Sequence, residues 1–535
     1  MVEKIETLLL LLGLLGVLAV VAERARFPFP ILLVIAGLGI AFWPGLPEVH
    51  LIPDLVFLIF LPPLLFSAAW KFPWDDFRSN LLPIFALAVG LVLATMLGVA
   101  LTATWLIPGM TLATGFVLGA IVSPPDAVAA TAVLKNLRLP KRLGTVLEGE
   151  SLVNDSSGLV AYHFAVAAVV TGSFSMAKAG GEFLWMSFGG ILLGLLVGAV
   201  VGALHRYIKD PAVEITLTLL TPYIAYLPAE RLGVSGVLAV VTAGLYVGHR
   251  SWQALNVGSR MERDAIWKFL DYLLNGVVFI LIGLQFPTIL LEIQNETSLW
   301  QMIGIGALIS AVVIGVRFLW VFPMAWMERR LFSGAKSTAQ FLDAGALVVV
   351  SWAGMRGVVS LAAALALPLM LSNGEEFPYR HVILFLTFCV IFVTLVLQGL
   401  TLPFIVRWLG VEERGDEFQA ESKARELLIN EIIERIDEEA LSTIEPVQRE
   451  SLEQWRNYYE ERLRLMIRRD SVPEETNRES SVNEKKLFLR LTENSRRRLA
   501  ELRRNGVISE KVRQKIEYDF DLEEQRVQRI LSRYG

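Results

Sequence analysis

The sequence has few of the residues that disulfide-rich domains, metalloenzymes and nucleotide-driven pumps require. Its single cysteine, Cys389, lies in an apolar run, which excludes an intrachain disulfide framework. The five histidines form no His/Cys cluster of the kind that binds zinc. Patterns such as GxSxG, HExxH and the phosphate-binding loop are absent, and a net charge of −4 is too small to indicate a nucleic-acid partner. We therefore expect no cofactor, no nucleic acid and no enzyme activity.

Charge is also scarce in the first three quarters of the chain. Residues 1–410 hold 24 Lys/Arg and 24 Asp/Glu, whereas residues 411–535 hold 25 and 29. This distribution predicts a transmembrane domain over 1–410 and a charged, mostly helical cytoplasmic domain over 411–535. The apolar run at 8–22 follows the segment MVEKIE, which has no net positive charge. We therefore interpret this run as a retained span rather than as a signal peptide.

Long apolar runs predict about thirteen transmembrane helices, since a span needs roughly 20 mostly apolar residues. The predicted spans are 6–22, 28–43, 52–70, 81–106, 111–134, 146–171, 183–206, 212–228, 232–248, 269–289, 300–326, 341–370 and 381–408. Asp271, near the start of the tenth span, is expected at a water-accessible helix end. Lys and Arg concentrate in the odd-numbered connections, which places the N-terminus outside and the tail in the cytoplasm, in a plasma or inner membrane.

Two of the predicted spans are interrupted. The fifth contains Pro124 and Pro125, which remove two backbone donors and prevent a continuous helix. The twelfth contains Gly354 and Gly357 on either side of Arg356. The two breaks are seven spans apart, an odd number, so the two halves of the domain would cross the membrane in opposite directions. Interrupted helices at matching places in inverted halves are typical of the binding site of a secondary transporter.

Polar residues at the start of the sixth span, in EGESLVNDSSG, would be costly in lipid unless they pair or act in transport. Glu150 and Asn154 share one helix face, and Ser151 and Asp155 share the adjacent one. A hydroxyl beside a carboxylate is the kind of oxygen donor set that a hard cation such as Na⁺ prefers. Asp126 follows the double proline, where unwound backbone can turn carbonyl oxygens toward an ion. We expect Asp126, Ser151 and Asp155 to converge on one cation site.

Two arginines, Arg317 and Arg356, lie deep in apolar sequence. Neither can lose its proton, so each needs a buried partner. We expect Glu150 to be the structural counter-ion of Arg356. Asp155 is then the working acid, because its neighbour Asn154 is neutral and adds hydrogen bonds without a competing charge.

The segments SPPDAVAATAVL, EGESLVNDSSG and GMRGVVSLAAALALP resemble the sodium–proton exchanger branch of the monovalent cation/proton antiporters, over roughly residues 5–410. The resemblance implies an all-α polytopic membrane fold of two inverted six-helix repeats, with broken helices crossing at the midplane. It also implies a homodimer and a core domain that moves like an elevator against a dimerisation domain. By position it implies ion binding by Asp155, Asn154, Ser151 and Asp126, and buried structural roles for Glu150, Arg356 and Arg317. The double proline before Asp126 departs from many relatives, which have Thr or Ser there, so a carbonyl can replace a side-chain ligand.

The expected function is secondary exchange of Na⁺ for H⁺ across a lipid bilayer, one for one and electroneutral, because Asp155 would carry either a proton or a cation. Potassium or lithium can replace sodium, since ligand types alone do not fix ion size. Outside this class, a cation channel or a passive membrane scaffold is the alternative, and the paired breaks with an exchangeable acid favour a carrier. An intramembrane protease would need paired catalytic aspartates on facing uninterrupted spans, which the sequence lacks.

Overall fold

Helices account for the regular secondary structure that the computed structural model describes, apart from an isolated bridge between Met370 and Glu376. The described residues are 2–25, 27–42, 56–134, 137, 139–172, 176–208, 210–251, 257–294, 298–332, 343–371, 374–411, 416–442, 446–470, 493, 495–505, 512–513, 516–517, 520–522 and 524. The predicted third span therefore begins outside them, since residues 52–55 are not described.

The helices of the first 411 residues follow the apolar runs of the sequence. They are α1 Val2–Ala25, α2 Phe29–Ala41, α3 Leu61–Lys71, α4 Trp74–Ser79, α5 Leu81–Phe85, α6 Val92–Leu106, α7 Leu112–Val122, α8 Ala127–Leu134, α9 Lys141–Thr171, α10 Met176–Leu204, α11 Pro211–Arg231, α12 Gly236–Ser251, α13 Val257–Leu284, α14 Phe286–Gln294, α15 Leu299–Phe332, α16 Ala344–Trp352, α17 Val358–Leu365, α18 Arg380–Val393 and α19 Gly399–Trp408. Short π-helical turns occupy Val56–Phe60, Ala86–Leu91 and Thr394–Gln398.

Several of these helices are long and apolar enough to cross a membrane. Among the described residues, six meet this criterion by length and composition: Leu81–Leu106, Gly180–Leu204, Pro211–Arg231, Glu262–Leu291, Leu299–Arg330 and Arg380–Trp408. Phe29–Ala41, Phe57–Lys71 and Leu112–Val122 are shorter apolar helices. In the part of the chain that the structure describes, the protein is thus all-helical, and it is a multi-pass membrane protein.

The chain divides into two compact units, Met1–Glu413 and Arg414–Gly535. The second unit contains α20 Asp416–Ser442 and α21 Pro446–Asp470, which pack against each other. Ion pairs one turn apart support these helices, among them Arg435 with Glu431 at 3.0 Å. An ion pair between Arg456 and Asp437, at 2.8 Å, links α21 to α20.

Two hydrophobic clusters fill the first unit, and α9 contributes to both. Leu143 and Val146 of α9 belong to the larger cluster, which contains most buried residues of α6–α8 and α15–α19. Leu152 and Val153 belong to the smaller cluster, which is built mainly from α3, α11 and α12. The polar segment of α9 therefore lies where two separately packed groups of helices meet.

Close helix crossings in this unit depend on residues without a large side chain. α2 packs on α13, and a Cβ atom added to Gly37 would overlap the carbonyl oxygen of Ile280. A Cβ atom on Gly283 would overlap the carbonyl oxygen of Val34 in the same way. Small residues are favoured at such contacts in membranes, where packing and hydrogen bonds replace the hydrophobic driving force between helices.

Candidate ion-binding site

The three residues expected to converge line one cavity. It has a volume of about 340 Å³, and its walls come from α3, α9, α13 and both interrupted helices. Asp126, Ser151 and Asp155 are all among the lining residues. Asp155 is only 8% exposed, so its carboxylate reaches the cavity from an otherwise buried position. The cavity thus brings carboxylate and hydroxyl oxygens from the first break and from α9 to the same space.

The two interrupted helices meet at Asp126. The backbone N–H of Asp126 donates to the carbonyl oxygen of Met355 at 2.7 Å, which joins the break between α7 and α8 to the break between α16 and α17. A side-chain oxygen of Asp126 accepts from the N–H of Val128 at 2.8 Å and so caps the start of α8. A Cβ atom on Gly357 would overlap the Asp126 carboxylate. The second break must therefore have glycine at this position for Asp126 to occupy its place.

Asn154 stabilises the first break instead of lining the cavity. Its side chain is fully buried, and its amide donates to the carbonyl oxygen of Pro125 at 2.8 Å. Because a double proline removes two backbone donors, the carbonyls around it need partners from elsewhere in the structure. One turn of α9 therefore positions two groups: the Asp155 carboxylate in the cavity, and the Asn154 amide as a hydrogen-bond donor to the unwound segment.

The expected pairing of Glu150 with Arg356 is replaced by a pairing with Arg317. The two guanidinium nitrogens of Arg317 donate to the two carboxylate oxygens of Glu150 at 2.5 and 2.7 Å, and both side chains are 1% exposed. The Nε of Arg317 donates to the carbonyl oxygen of Val350 at 2.9 Å. This bidentate geometry satisfies a buried charge pair more fully than a single contact would.

The guanidinium of Arg356 is hydrogen-bonded to a backbone carbonyl. Its guanidinium donates to the carbonyl oxygen of Ser123, at the C-terminal end of α7. Its backbone N–H donates to the hydroxyl of Thr394 at 3.1 Å, at the start of a π-helical turn. A helix C-terminus carries partial negative charge and unpaired carbonyls, so a cation there is stabilised without a carboxylate. This explains why Glu150 is available to Arg317.

Seven further polar residues line the cavity that sequence reasoning did not assign to a site: Ser67, Lys71, Thr131, Glu148, Asp271, Asn275 and Ser360. Asp271 had been expected at a water-accessible helix end. It lies within α13 instead, with a side chain 26% exposed, and it pairs with Lys71 of α3 at 2.5 Å. Glu148 precedes Ser151 and Asp155 by three and seven residues, a helical spacing that is visible in the sequence. The pair between Lys71 and Asp271 joins residues 200 positions apart and leaves no such signal.

Comparison with known proteins identifies the family. The sequence profile described as "Sodium/hydrogen exchanger, transmembrane" matches residues 8–408. The chain belongs to this family. It is 33% identical over 516 residues to the uncharacterized Na(+)/H(+) exchanger YjcE of Escherichia coli K12, a match that covers 93% of each protein. The expectation from the motifs is therefore confirmed at the level of the family.

A second relative is named for a wider set of cations. The sodium, potassium, lithium and rubidium/H(+) antiporter of Bacillus subtilis 168 is 35% identical over 395 residues, which cover 71% of this chain and 58% of that protein. Among solved structures, the chain resembles the sodium proton antiporter MjNhaP1 from Methanocaldococcus jannaschii at pH 8. The TM-score is 0.60 and the identity 21%, over 76% of this chain and 98% of that one. This likeness shows a shared fold.

Proposed function

We propose that this family member exchanges Na⁺ for H⁺ across a membrane at the cavity lined by Asp126, Ser151 and Asp155. The observation that carries the proposal is the convergence of these oxygen donors at the crossing of two interrupted helices. Asp155 is the exchanging acid, and Ser151, Asp126 and backbone carbonyls near the double proline complete the cation site. Asn154 fixes the geometry of that segment through Pro125.

The stoichiometry follows from which acids are free to exchange a proton. Glu150 is held by Arg317 through both carboxylate oxygens and is excluded from transport on this basis. Asp126 caps α8 and shapes the site without releasing a second proton. Asp155 then carries one proton or one cation at a time, so exchange is one for one and electroneutral, and protons compete with Na⁺.

The proposed movement is of the elevator type. The core subdomain comprises α5–α9 and α15–α19, which form two inverted repeats around the breaks, while the remaining helices form the dimerisation subdomain of a homodimer. The meeting of both interrupted helices with α9 at one cavity supports the placement of these helices in the core. We assign residues 1–410 to the membrane domain, with the N-terminus outside, and residues 411–535 to a cytoplasmic domain, following the distribution of basic residues.

The Asp155→Asn variant tests the assignment of the exchanging acid. We expect it to fold and insert but to lose Na⁺-driven proton flux in proteoliposomes, because an amide can neither release the proton nor neutralise the cation. Asp264→Asn is the matched control, since Asp264 lies on α13 with a side chain 60% exposed and does not line the cavity. Normal flux in Asp155→Asn would show that another group carries the proton.

Potassium is the second candidate cation. The support is the name of the Bacillus relative, which includes potassium, lithium and rubidium. Measuring proton flux in the same proteoliposomes with Na⁺, K⁺ or Li⁺ as the only alkali cation separates the possibilities. We expect Na⁺ to give the lowest KM. If K⁺ supports flux and Na⁺ does not, the substrate is K⁺, and the proposed site stays the same.

A further inference from the structure

A lysine is fixed on the cavity wall that α3 forms. The ammonium of Lys71, at the end of α3, donates to the Asp271 carboxylate at 2.5 Å and to the Ser67 hydroxyl at 2.8 Å. The Ser67 hydroxyl donates in turn to the same carboxylate oxygen at 2.8 Å. Among the described residues that line the cavity, Lys71 is the one lysine or arginine. Its charge is thus held by Asp271 of α13 and by Ser67 of its own helix.

The wall that α9 forms carries two further acids. Glu148, Ser151 and Asp155 follow one face of α9, and all three line the cavity. The Lys71 side chain is 46% exposed, whereas Asp155 is 8% exposed. Lys71 therefore marks the exposed mouth of the cavity and Asp155 its buried interior, and both line the same space.

We propose that Asp271 sets the cation affinity of this cavity by holding the Lys71 ammonium on the wall away from α9. The inference rests on the proposed function, since it concerns access to the same site. Asp271 does not contact the transported ion in this role. It is a positioning residue that acts through Lys71, with Ser67 as the second anchor.

The position of Lys71 should affect cation affinity because its side chain is itself a monovalent cation, attached to the cavity wall. Its ammonium is a compact charge on a flexible four-carbon stem, and it donates up to three hydrogen bonds. Without Asp271, the carboxylates left along the cavity are Glu148, Asp126 and Asp155. An ammonium released from α13 is attracted to these groups and competes there with the entering cation.

The test measures Na⁺-dependent proton flux of the full chain in everted membrane vesicles, which expose the proposed cytoplasmic face. We expect Asp271→Asn to raise the KM for Na⁺ about three- to tenfold at low ionic strength, with kcat within about twofold of wild type. Choline chloride at about 0.5 M should reduce the effect, because the mouth is solvent-exposed and the charges there are screened. Lys71→Gln in the same background should return the KM to within about twofold of wild type.

Asp264→Asn is the control for the loss of an acid on α13 outside the cavity. A KM in Asp271→Asn equal to that of Asp264→Asn would overturn the inference, and so would a raised KM that persists in the Lys71→Gln/Asp271→Asn double variant. If Asp271→Asn does not accumulate in membranes, Lys71→Gln alone decides, because its KM should equal or fall below that of wild type. Absence of Na⁺-dependent flux in the wild type would reject the proposed function itself, which is a separate outcome.

Discussion

The buried pair between Glu150 and Arg317 allows a stability prediction with a defined magnitude. Both side chains are 1% exposed, and the carboxylate accepts two hydrogen bonds from the guanidinium. Glu150→Gln removes the negative charge and leaves the arginine charged in an apolar environment. Breaking a buried pair in this way costs about 3–5 kcal/mol, because the remaining charge is desolvated without compensation.

A matched control is available near the end of α15, the helix that contains Arg317. Glu328 of α15 pairs with Arg142 of α9 at 2.5 Å, but these side chains are 15% and 16% exposed. This pair is less buried than that of Glu150 with Arg317, so Glu328→Gln should cost less, about 1–2 kcal/mol. One kcal/mol shifts the Tm of a 150–250-residue domain by about 2–4 °C and that of a larger unit by less. We therefore expect a Tm lower by on the order of 5 °C in Glu150→Gln and by about 2 °C in Glu328→Gln.

The assay is the thermal loss of the monodisperse peak in detergent, followed by fluorescence-detected size-exclusion chromatography. Two double variants identify the partner of Glu150. Adding Arg317→Met to Glu150→Gln should recover part of the lost Tm, since no unpaired charge then remains, whereas adding Arg356→Met should not. Wild-type stability in Glu150→Gln, or recovery with Arg356→Met alone, would refute the pairing derived from the contacts of Arg317.

Two further predictions concern transport. Proton flux in proteoliposomes should not change when potassium and valinomycin impose a voltage, because a one-for-one exchange moves no net charge. A membrane potential contributes ~2.3 kcal/mol per 100 mV only for each net charge that crosses. A systematic shift of the flux with voltage would mean that a second group, such as Asp126, also titrates. Gly357→Ala should slow exchange about tenfold or more by displacing the Asp126 carboxylate, while Gly39→Ala, whose Cβ would meet open space, should transport at the wild-type rate.

The sequence located individual helices well because hydropathy reports directly on contact with lipid or core. The predicted span 28–43 corresponds to α2 at Phe29–Ala41, and the predicted break in span 111–134 lies between α7 and α8. Helix ends were less accurate. The span predicted from residue 146 corresponds to α9, which begins earlier, at Lys141 directly after Pro140, because hydropathy marks only the apolar part of a helix.

The site was predictable to the extent that its residues share a short segment. Ser151 and Asp155 are one turn apart, so their common face follows from helical geometry alone. The partner of Glu150 did not follow, because Arg317 is 167 residues away and both buried arginines offered the same charge. Only the three-dimensional packing shows that Arg356 lies at the end of α7, where the carbonyl of Ser123 accepts its hydrogen bond.

The buried charges around the two interrupted helices fall into two groups, and the separation explains how a membrane domain tolerates them. Glu150 and Arg317 neutralise each other in a dry environment, and Arg356 is stabilised by a helix end. Asp155 instead lines a cavity beside Asp126, and in the proposed mechanism an exchangeable proton or cation neutralises its carboxylate. A charge of the first group stabilises only the fold, since separating it from its buried partner would cost several kcal/mol. In the proposed mechanism, transport depends on the second group, because the charge of Asp155 is compensated by a proton or cation that can leave.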